Sequence, residues 1–492
     1  MRRGATSALS PLRESWTWIL LGIYVVLQGV MLVYHEPWRD EAQAWLLARD
    51  ADPWSLAWNH LRYEGTPGLW HALLLLPAKT GLPYVSVNVI SAALGAFAAY
   101  LVLRHSPFPS AVRALLPFTF FLFYQYGVVA RSYTLLAPLL FLVAIVWPRK
   151  KERVYLFTFL LVLLANVSTH GALIAGSLMA VHVLDVVRNR GGLTRDVLRR
   201  QVVAAGAFVV VTLLLVVQLR PPSDRVASFE SPGLASIRTA TAIFNGAITG
   251  FEPLSVVVFG ALVWWFWRTR TLLMFVVPAV ALLALSVFAY HRHYHEGIWW
   301  LLALFVLWVG LADRSRVVAA GPRTRQLMLA GVATIVAVHL VWSASSFRFD
   351  LEEPYSGSEA LANYLKAHAE DKTIYAAGFP SRDGETHPSV GGSAASAVQP
   401  YFDRNIYANY HGGRQPSFWE WSTSIDLIYE RRRILAARPD LIVLSVVSPR
   451  SAKQPALYPG YRVAARFSGD LAWKNGTHEP EAYILMERIG AS

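Results

Sequence analysis

The chain has no cysteine among its 492 residues, so disulfide scaffolds, thiol nucleophiles and thiolate metal sites are all excluded. Charge is also scarce: Asp, Glu, Lys and Arg make up 16% of it, against roughly 25% in an ordinary soluble domain. Acid is the scarcer sign, with 32 Asp and Glu against 45 Lys and Arg, a net charge of +13. Apolar and aromatic residues take the place of charge: 54% hydrophobic, 18 Trp, 21 Tyr and 24 Phe, with a mean hydropathy of +0.37. Such a chain is a membrane protein. Its basic surplus then reports topology, and no nucleic acid is expected as a partner.

Apolar runs at 16–34, 84–103, 113–129, 133–147, 154–170, 172–188, 202–219, 252–267, 272–290, 298–312 and 326–345 predict a polytopic α-helical protein of about 11 transmembrane helices. The run 68–80 is too short to cross and is expected to lie in the interface. Arg2, Arg3 and Arg13, Arg104 and Arg113, the stretches 149–153 and 188–200, Arg268 and Arg270, and the stretch 314–325 fall on alternate connections. The positive-inside rule makes that face cytoplasmic, N-terminus included. The first loop 35–67, the segments 220–251 and 291–297, and residues 346–492 then lie outside. The first run lacks a small-residue cleavage site and reads as an anchor. Residues 1–345 form the membrane domain. Residues 346–492 form a small extracytoplasmic α/β domain with strands at 373–377, 441–445 and 482–487, helices at 358–369 and 425–437, and a loop over 379–400.

Chemistry is sought where polar residues gather on the outer face. Asp40 and Glu41 follow the first span directly; as neighbours they point apart, so one carboxylate serves as a base while the other orients an acceptor or a metal. The structural alternative is a helix over 41–50 capped by Asp40, with Gln43 completing a capping box. Glu64 precedes Gly65, Thr66 and Pro67, a break that holds a carboxylate at fixed depth. Arg131, with Tyr133 two residues on, separates two apolar runs almost without a loop, so it either snorkels to lipid phosphate or binds an anion in a cavity. His170 ends a run on the same side, and His291, Arg292, His293 and His295 cluster between two outer span ends. They form an anion or phosphate site more readily than a metal site, because no His-Glu-x-x-His signature is present. In the C-terminal part, Tyr401, Asn405, Trp419 and Trp421 belong to a region dense in aromatic and amide groups, suited to stacking on a sugar or peptide acceptor.

On these residues the chain resembles the membrane glycosyltransferases of the GT-C fold that use polyprenyl-phosphate sugars, including the protein O-mannosyltransferase and aminoarabinose transferase groups. Asp40 and Glu41 match that superfamily's Asp-Glu motif in order and position. Glu64 to Pro67 looks like the Glu-x-x-Pro segment of the aminoarabinose transferases, and Arg131 with Tyr133 is similar to their Arg-x-Tyr pattern. The resemblance spans about residues 16–345. It implies Asp40 as general base, Glu41 as acceptor- or metal-orienting, Glu64 in the active-site cavity, and His170 beside it. One proline follows Glu64 where the family pattern has two, and the histidines at 291–295 have no firm counterpart. No Trp-Trp-Asp-Tyr-Gly run is present, which argues against oligosaccharide transfer to asparagine.

The resulting expectation is an inverting glycosyltransferase of a bacterial inner membrane. It would move a monosaccharide from a polyprenyl-phosphate donor to a hydroxyl on a lipid, cell-wall glycan or protein acceptor. Arg131, Tyr133, His170, His291, Arg292 and His293 would hold the donor phosphate. Inversion is expected because no second carboxylate stands as a covalent nucleophile. No cofactor is required; if a divalent ion takes part, Glu41, Glu64 and His295 are its candidate ligands. The rival readings are a glycan polymerase or ligase and a lipid-linked sugar transporter or flippase. The latter predicts paired repeats that the sequence does not display.

Overall fold

The computed structural model describes residues 14–225, 234–288, 292–378, 395–422, 431–446, 458–474 and 478–490. It is a polytopic helical membrane protein carrying a small mixed sheet. The helices are α1 (Glu14–Tyr34), α2 (Arg39–Asp50), α3 (Leu69–Lys79), α4 (Ser86–His105), α5 (Ser132–Arg149), α6 (Val154–Ala165), α7 (Thr169–Arg188), α8 (Arg195–Gln218), α9 (Leu234–Ile248), α10 (Glu252–Arg268), α11 (Leu272–Phe288), α12 (Glu296–Ala312), α13 (Pro322–Glu352), α14 (Ser358–His368) and α15 (Arg431–Ala437). Among the described residues, α1, α4, α5, α7, α8, α12 with its lead-in, and α13 are the 7 helices long and apolar enough to span. An eighth span forms if α10 is counted with the second half of α9, to which it is bent by 81°. Each of the apolar runs contains helix, but α6, with 12 residues, and α11, with 17, are shorter than the roughly 20 residues that cross a bilayer. The run 68–80 is the short helix α3.

The run 113–129 departs most from expectation. It is a short helix at Ser110–Leu115, a 3-10 turn at Leu116–Phe118 and a π-turn at Phe121–Val128, followed by an extended stretch. Pro117 supplies no backbone N–H, so a regular ladder cannot pass it. The carbonyls released by the break are met from α1: the Tyr24 hydroxyl donates to Leu122 O at 3.1 Å, and Gln28 Nε2 donates to Phe123 O at 2.8 Å. Ser91 Oγ on α4 donates to Gly127 O at 2.9 Å. Non-helical backbone within the membrane region is tolerated only with such partners. A side chain at Gly127 would meet Gln28 Nε2 at 2.8 Å and the Tyr24 hydroxyl at 3.0 Å, so it would press on the two groups that satisfy the break.

The sheet runs β1 (Ile374–Gly378), β2 (Leu441–Val446), β4 (His478–Arg488), β3 (Tyr461–Ala472), with β1 and β2 parallel and the other neighbours antiparallel. Strand alternation gives it two apolar faces. Leu441, Val443, Tyr483 and Leu485 join the same core as the membrane helices, whereas Ile442, Leu444, Ile484 and Met486 build a separate core with Ile434 of α15. The expected strands at 373–377, 441–445 and 482–487 and the helix at 358–369 match observed elements within a few residues. Of the helix at 425–437, the part over 431–437 is α15, and 425–430 lie outside the described residues.

One expectation is corrected here, and one element is added. The stretch 379–400 is not simply a loop: 379–394 lie outside the described residues, but Ala395–Tyr401 is a buried 3-10 helix whose Ala395, Ala397 and Val398 sit in the main core. Its small side chains let the backbone approach α2 closely. The long strand β3 was also unforeseen. Its burial alternates strictly at first, but Arg462 and Arg466 hide the apolar repeat in the sequence.

The seam between β3 and the start of α14 depends on two glycines facing each other. A Cβ on Gly469 would lie 2.5 Å from Ser356 Cα and 2.7 Å from Gly357 N. Because both neighbours are backbone, Gly469→Val is expected to cost roughly 1–3 kcal/mol by overpacking. Gly191→Ala, with nothing within 4 Å, should leave stability unchanged. Thermal unfolding of the two purified variants checks this.

Candidate active site

The loop after α1 turns into α2 at Trp38, and Glu41, three residues on, reaches back to accept from the Trp38 amide at 3.1 Å. The capping carboxylate is therefore Glu41, and Asp40 sits inside the first turn and is not its cap. The extended stretch after the broken run then crosses the start of α2. Ala130 N donates to Glu41 Oε1 at 2.7 Å, and Arg131 Nη2 lies 2.7 Å from Asp40 Oδ2. Adjacent carboxylates thus grip adjacent residues, Glu41 through the backbone of Ala130 and Asp40 through the side chain of Arg131. That double contact explains physically why an Asp-Glu pair is needed here.

Glu41 is fully buried. Besides Trp38 and Ala130, Asn88 Nδ2 donates to it at 3.1 Å, and His35 Nε2 lies 3.4 Å away. On its other side His35 Nδ1 donates to Asp350 Oδ2 at 2.9 Å, and the Tyr124 hydroxyl donates to Asp350 Oδ1 at 2.7 Å. Burial alone would lower the His35 pKa, but Glu41 and Asp350 outweigh it and lift it to about 10, so the imidazolium bridges both carboxylates. Surrounded by donors, Glu41 is a structural carboxylate with no face left for acceptor or metal.

Asp40 stands differently. Arg39 Nε donates to its Oδ1 at 2.9 Å while Arg131 holds Oδ2. Burial would raise its pKa, but Arg131 and Arg39 win and hold it below the usual carboxylate range. Arg131 is caged by aromatic rings: its guanidinium carbon is 3.9 Å from the Tyr294 ring centre, 5.3 Å from Tyr133 and 5.9 Å from Trp38. Arg39 stacks over Trp38 at 5.4 Å and reaches Trp421 at 6.0 Å. The Trp38 indole N–H is buried without a hydrogen-bond partner.

Glu64 completes the cluster. The short helix Leu61–Glu64 ends at Gly65 in the left-handed region, φ 66°, which turns the chain and leaves the carboxylate at the edge of the site. Gln43 Nε2 donates to Glu64 Oε1 at 2.7 Å. Burial and the nearby Asp40 charge push the Glu64 pKa up to about 7, against the opposing pull of Gln43, Arg225 and Arg39. Two carboxyls of one cluster are thereby driven apart, one held ionised and the other poised near neutrality.

The Tyr133 hydroxyl pairs with His295 Nε2 at 3.0 Å, and His295 stacks against His170 at 4.3 Å. Tyr133, His170 and His295 therefore gather behind Arg131. Arg292 is exposed beside them, and His293 stays mostly in solvent, its side chain 73% exposed, with Nδ1 3.4 Å from Glu296. His291 lies outside the described residues. Glu41, Glu64 and His295 do not converge, and among the described residues no group of three or more His, Asp or Glu is arranged to hold a metal ion.

Of the acceptor candidates, Trp421 faces the site through Arg39, and Trp419 packs 6.3 Å from it. Tyr401 stacks edge-on against Tyr84 at 5.5 Å. Asn405 is inward: it donates to the carbonyls of Tyr410 and Arg414 and accepts from Gln399 and the Tyr407 amide, which organises its own loop. The stretch carrying Trp419 and Trp421 is laced to the first loop. Gln43 donates to Trp419 O at 2.6 Å and accepts from Trp419 N at 2.9 Å, while Asp50 accepts from Ser417 N and His60 pairs with Glu420. Gln43→Ala removes both Trp419 bonds, so exchange of the Trp419 amide is expected to quicken by roughly tenfold to hundredfold in hydrogen-exchange mass spectrometry.

Sequence reasoning missed Arg39, Tyr294, Lys474 and the pair His35 and Asp350. Lys474, from the end of β3, forms an ion pair with Glu296, and its neighbour Trp473 packs on Trp38 and Tyr294. The only signal for Asp350 was an acid at the end of an apolar run. Comparison of the chain with protein-family models, with curated proteins and with solved structures gives no match.

Proposed function

We propose that the chain is an inverting, lipid-linked glycosyltransferase of the GT-C type, working on the outer face of a bacterial inner membrane. The observation that carries this reading is the split pair of carboxyls around one aromatic-caged arginine. Asp40 is ionised and holds Arg131 and Arg39 in place, while Glu64 has a proton affinity suited to taking a proton near neutral pH. In this reading Glu64 is the general base and Asp40, expected in that role, is the residue that orients the phosphate-binding arginines. A base held well below neutrality between two guanidiniums is a poor proton acceptor.

The step balances as a direct displacement. An acceptor hydroxyl forms a bond to the anomeric carbon as its proton passes to Glu64. The bond from that carbon to the phosphate oxygen breaks with its electron pair, and Arg131 and its neighbours meet the charge that develops there. A small apolar pocket lined by Phe244, Ile248, Phe259, Leu262, Trp299 and Trp300 marks the side from which the donor's isoprenoid chain would approach. The two tryptophans stand one turn along α12 from His295 and Glu296, so a lipid there leads toward the cationic site.

The test is transfer of label from radiolabelled polyprenyl-phosphate monosaccharides to an acceptor in membrane extract by the purified full chain, with and without EDTA. Label moving to a new product is expected. Donor binding followed only by movement across liposomes would make this a transporter and overturn the reading.

A further inference from the structure

Gln43 stands one turn along α2 from Arg39 and Asp40, on their side of the helix. Two other pieces of chain are clamped to the same helix. Leu46 and Leu47 of α2 share a small apolar core with Leu56, with Phe418, and with Leu61, the first residue of the short helix that ends in Glu64. Polar contacts hold the strap 417–422 as well: Ser417 N donates to Asp50 at 2.8 Å, Arg49 Nη2 donates to Ser417 Oγ at 2.6 Å, and His60 pairs with Glu420 at 3.1 Å. This packing brings Trp419 and Glu64 to one turn of α2, and Gln43 lies where they meet.

Both ends of the Gln43 amide are used there. Oε1 accepts from Trp419 N at 2.9 Å, while Nε2 donates to Trp419 O at 2.6 Å and to Glu64 Oε1 at 2.7 Å. An amide carries its two N–H groups on one side and its carbonyl on the other. Turned over, it would set N–H against the Trp419 N–H and its oxygen against Glu64, so the strap's backbone fixes which end the carboxyl meets. Gln43 is only 7% exposed, which keeps water from competing for these bonds. The charged neighbours Asp40, Arg39 and Arg225 act on the Glu64 carboxyl through space. Asp224 is engaged by Tyr63 and Ser422, and Glu420 by His60.

We infer that Gln43 is a positioning residue that ties the aromatic strap to the base: with Trp419 holding its amide, one N–H is committed to Glu64 Oε1, and the acceptor's proton is received at Oε2. This rests on the reading of Glu64 as general base. A donor on a carboxylate favours its ionised form, so a seated strap readies the base, and a displaced strap, releasing Gln43, leaves Glu64 protonated. The strap carries Trp419 and Trp421, the candidate acceptor platform. An acceptor that seats the strap thereby switches on the group that deprotonates it.

Infrared titration of the detergent-purified full chain reads Glu64 without turnover, its carboxyl C=O band being the one that Glu64→Gln removes. The parent midpoint is expected at about 7. Gln43→Met, similar in length but without the amide, is expected to raise it by roughly one pH unit, the size of one hydrogen bond to a charged group. Sugar transfer should then fall about fivefold at pH 7 and recover by about pH 9, a pattern that a loosened strap alone does not produce. Should the methionine variant not fold, Gln43→Glu keeps an acceptor for the Trp419 amide while offering Glu64 no donor, and its midpoint should rise further through the added like charge. An unchanged midpoint in either folded variant, even with faster exchange at Trp419, overturns the inference and leaves the base reading to the turnover of Glu64→Gln. A raised midpoint beside a pH–rate limb that does not move removes the base role itself, and the inference with it.

Discussion

Glu64→Gln is expected to slow sugar transfer by roughly 10²–10⁴-fold while the protein folds and binds donor normally. Gln can still accept the Gln43 hydrogen bond but cannot take a proton, so the loss falls on turnover rather than on KM. In the unsubstituted protein, turnover should rise with pH through about 7, where Glu64 releases its proton, and flatten above it. The same shift carries a stability signature of definite sign. A carboxyl whose pKa is raised from 4.5 to about 7 holds its proton more tightly in the folded chain, so the fold loses stability as pH climbs through that interval. Glu64→Gln should abolish that decline. Near-normal turnover by the variant, or a pH profile without a limb near 7, would return the base role to Asp40.

Glu41→Ala is expected to act on a different quantity, lowering stability by roughly 3–5 kcal/mol. The substitution strands the Trp38 and Ala130 amides and takes from His35 one of the two carboxylates that keep it charged. The Ala130 peptide then loses its anchor, and Arg131 with it, so transfer falls as well. Asp40→Asn, by contrast, keeps the buried network and loses only the charge that orders Arg39 and Arg131. Its thermal midpoint should stay within a few degrees of the parent while donor binding weakens. Equal stabilities for the two variants would mean that Glu41 is not the structural member of the pair.

Much of this organisation is legible in the amino-acid sequence. The apolar runs, the short helix within 68–80, and the polar cluster at 35–67 follow from composition and spacing, because a span or an amphipathic stretch is dictated by its own residues. The break between 113 and 129 was hidden in an apolar run: Pro117 and Gly127 mark it, but the carbonyls it frees are satisfied by Tyr24, Gln28 and Ser91 from other helices. β3 was hidden by its arginines, and Asn405, attractive as a sugar ligand, turned inward to satisfy its own loop.

By itself the sequence determined that this is a multi-pass helical membrane protein and singled out Asp40, Glu41, Glu64 and Arg131 as candidate site residues. Only the tertiary structure decided their division of labour. Two adjacent carboxylates in one helix turn look alike in a sequence, but Glu41 is enclosed by four donors, Asp40 by two guanidiniums, and the more distant Glu64 by loss of solvent and a like charge. Proton affinity depends on those through-space neighbours, which chain order does not record.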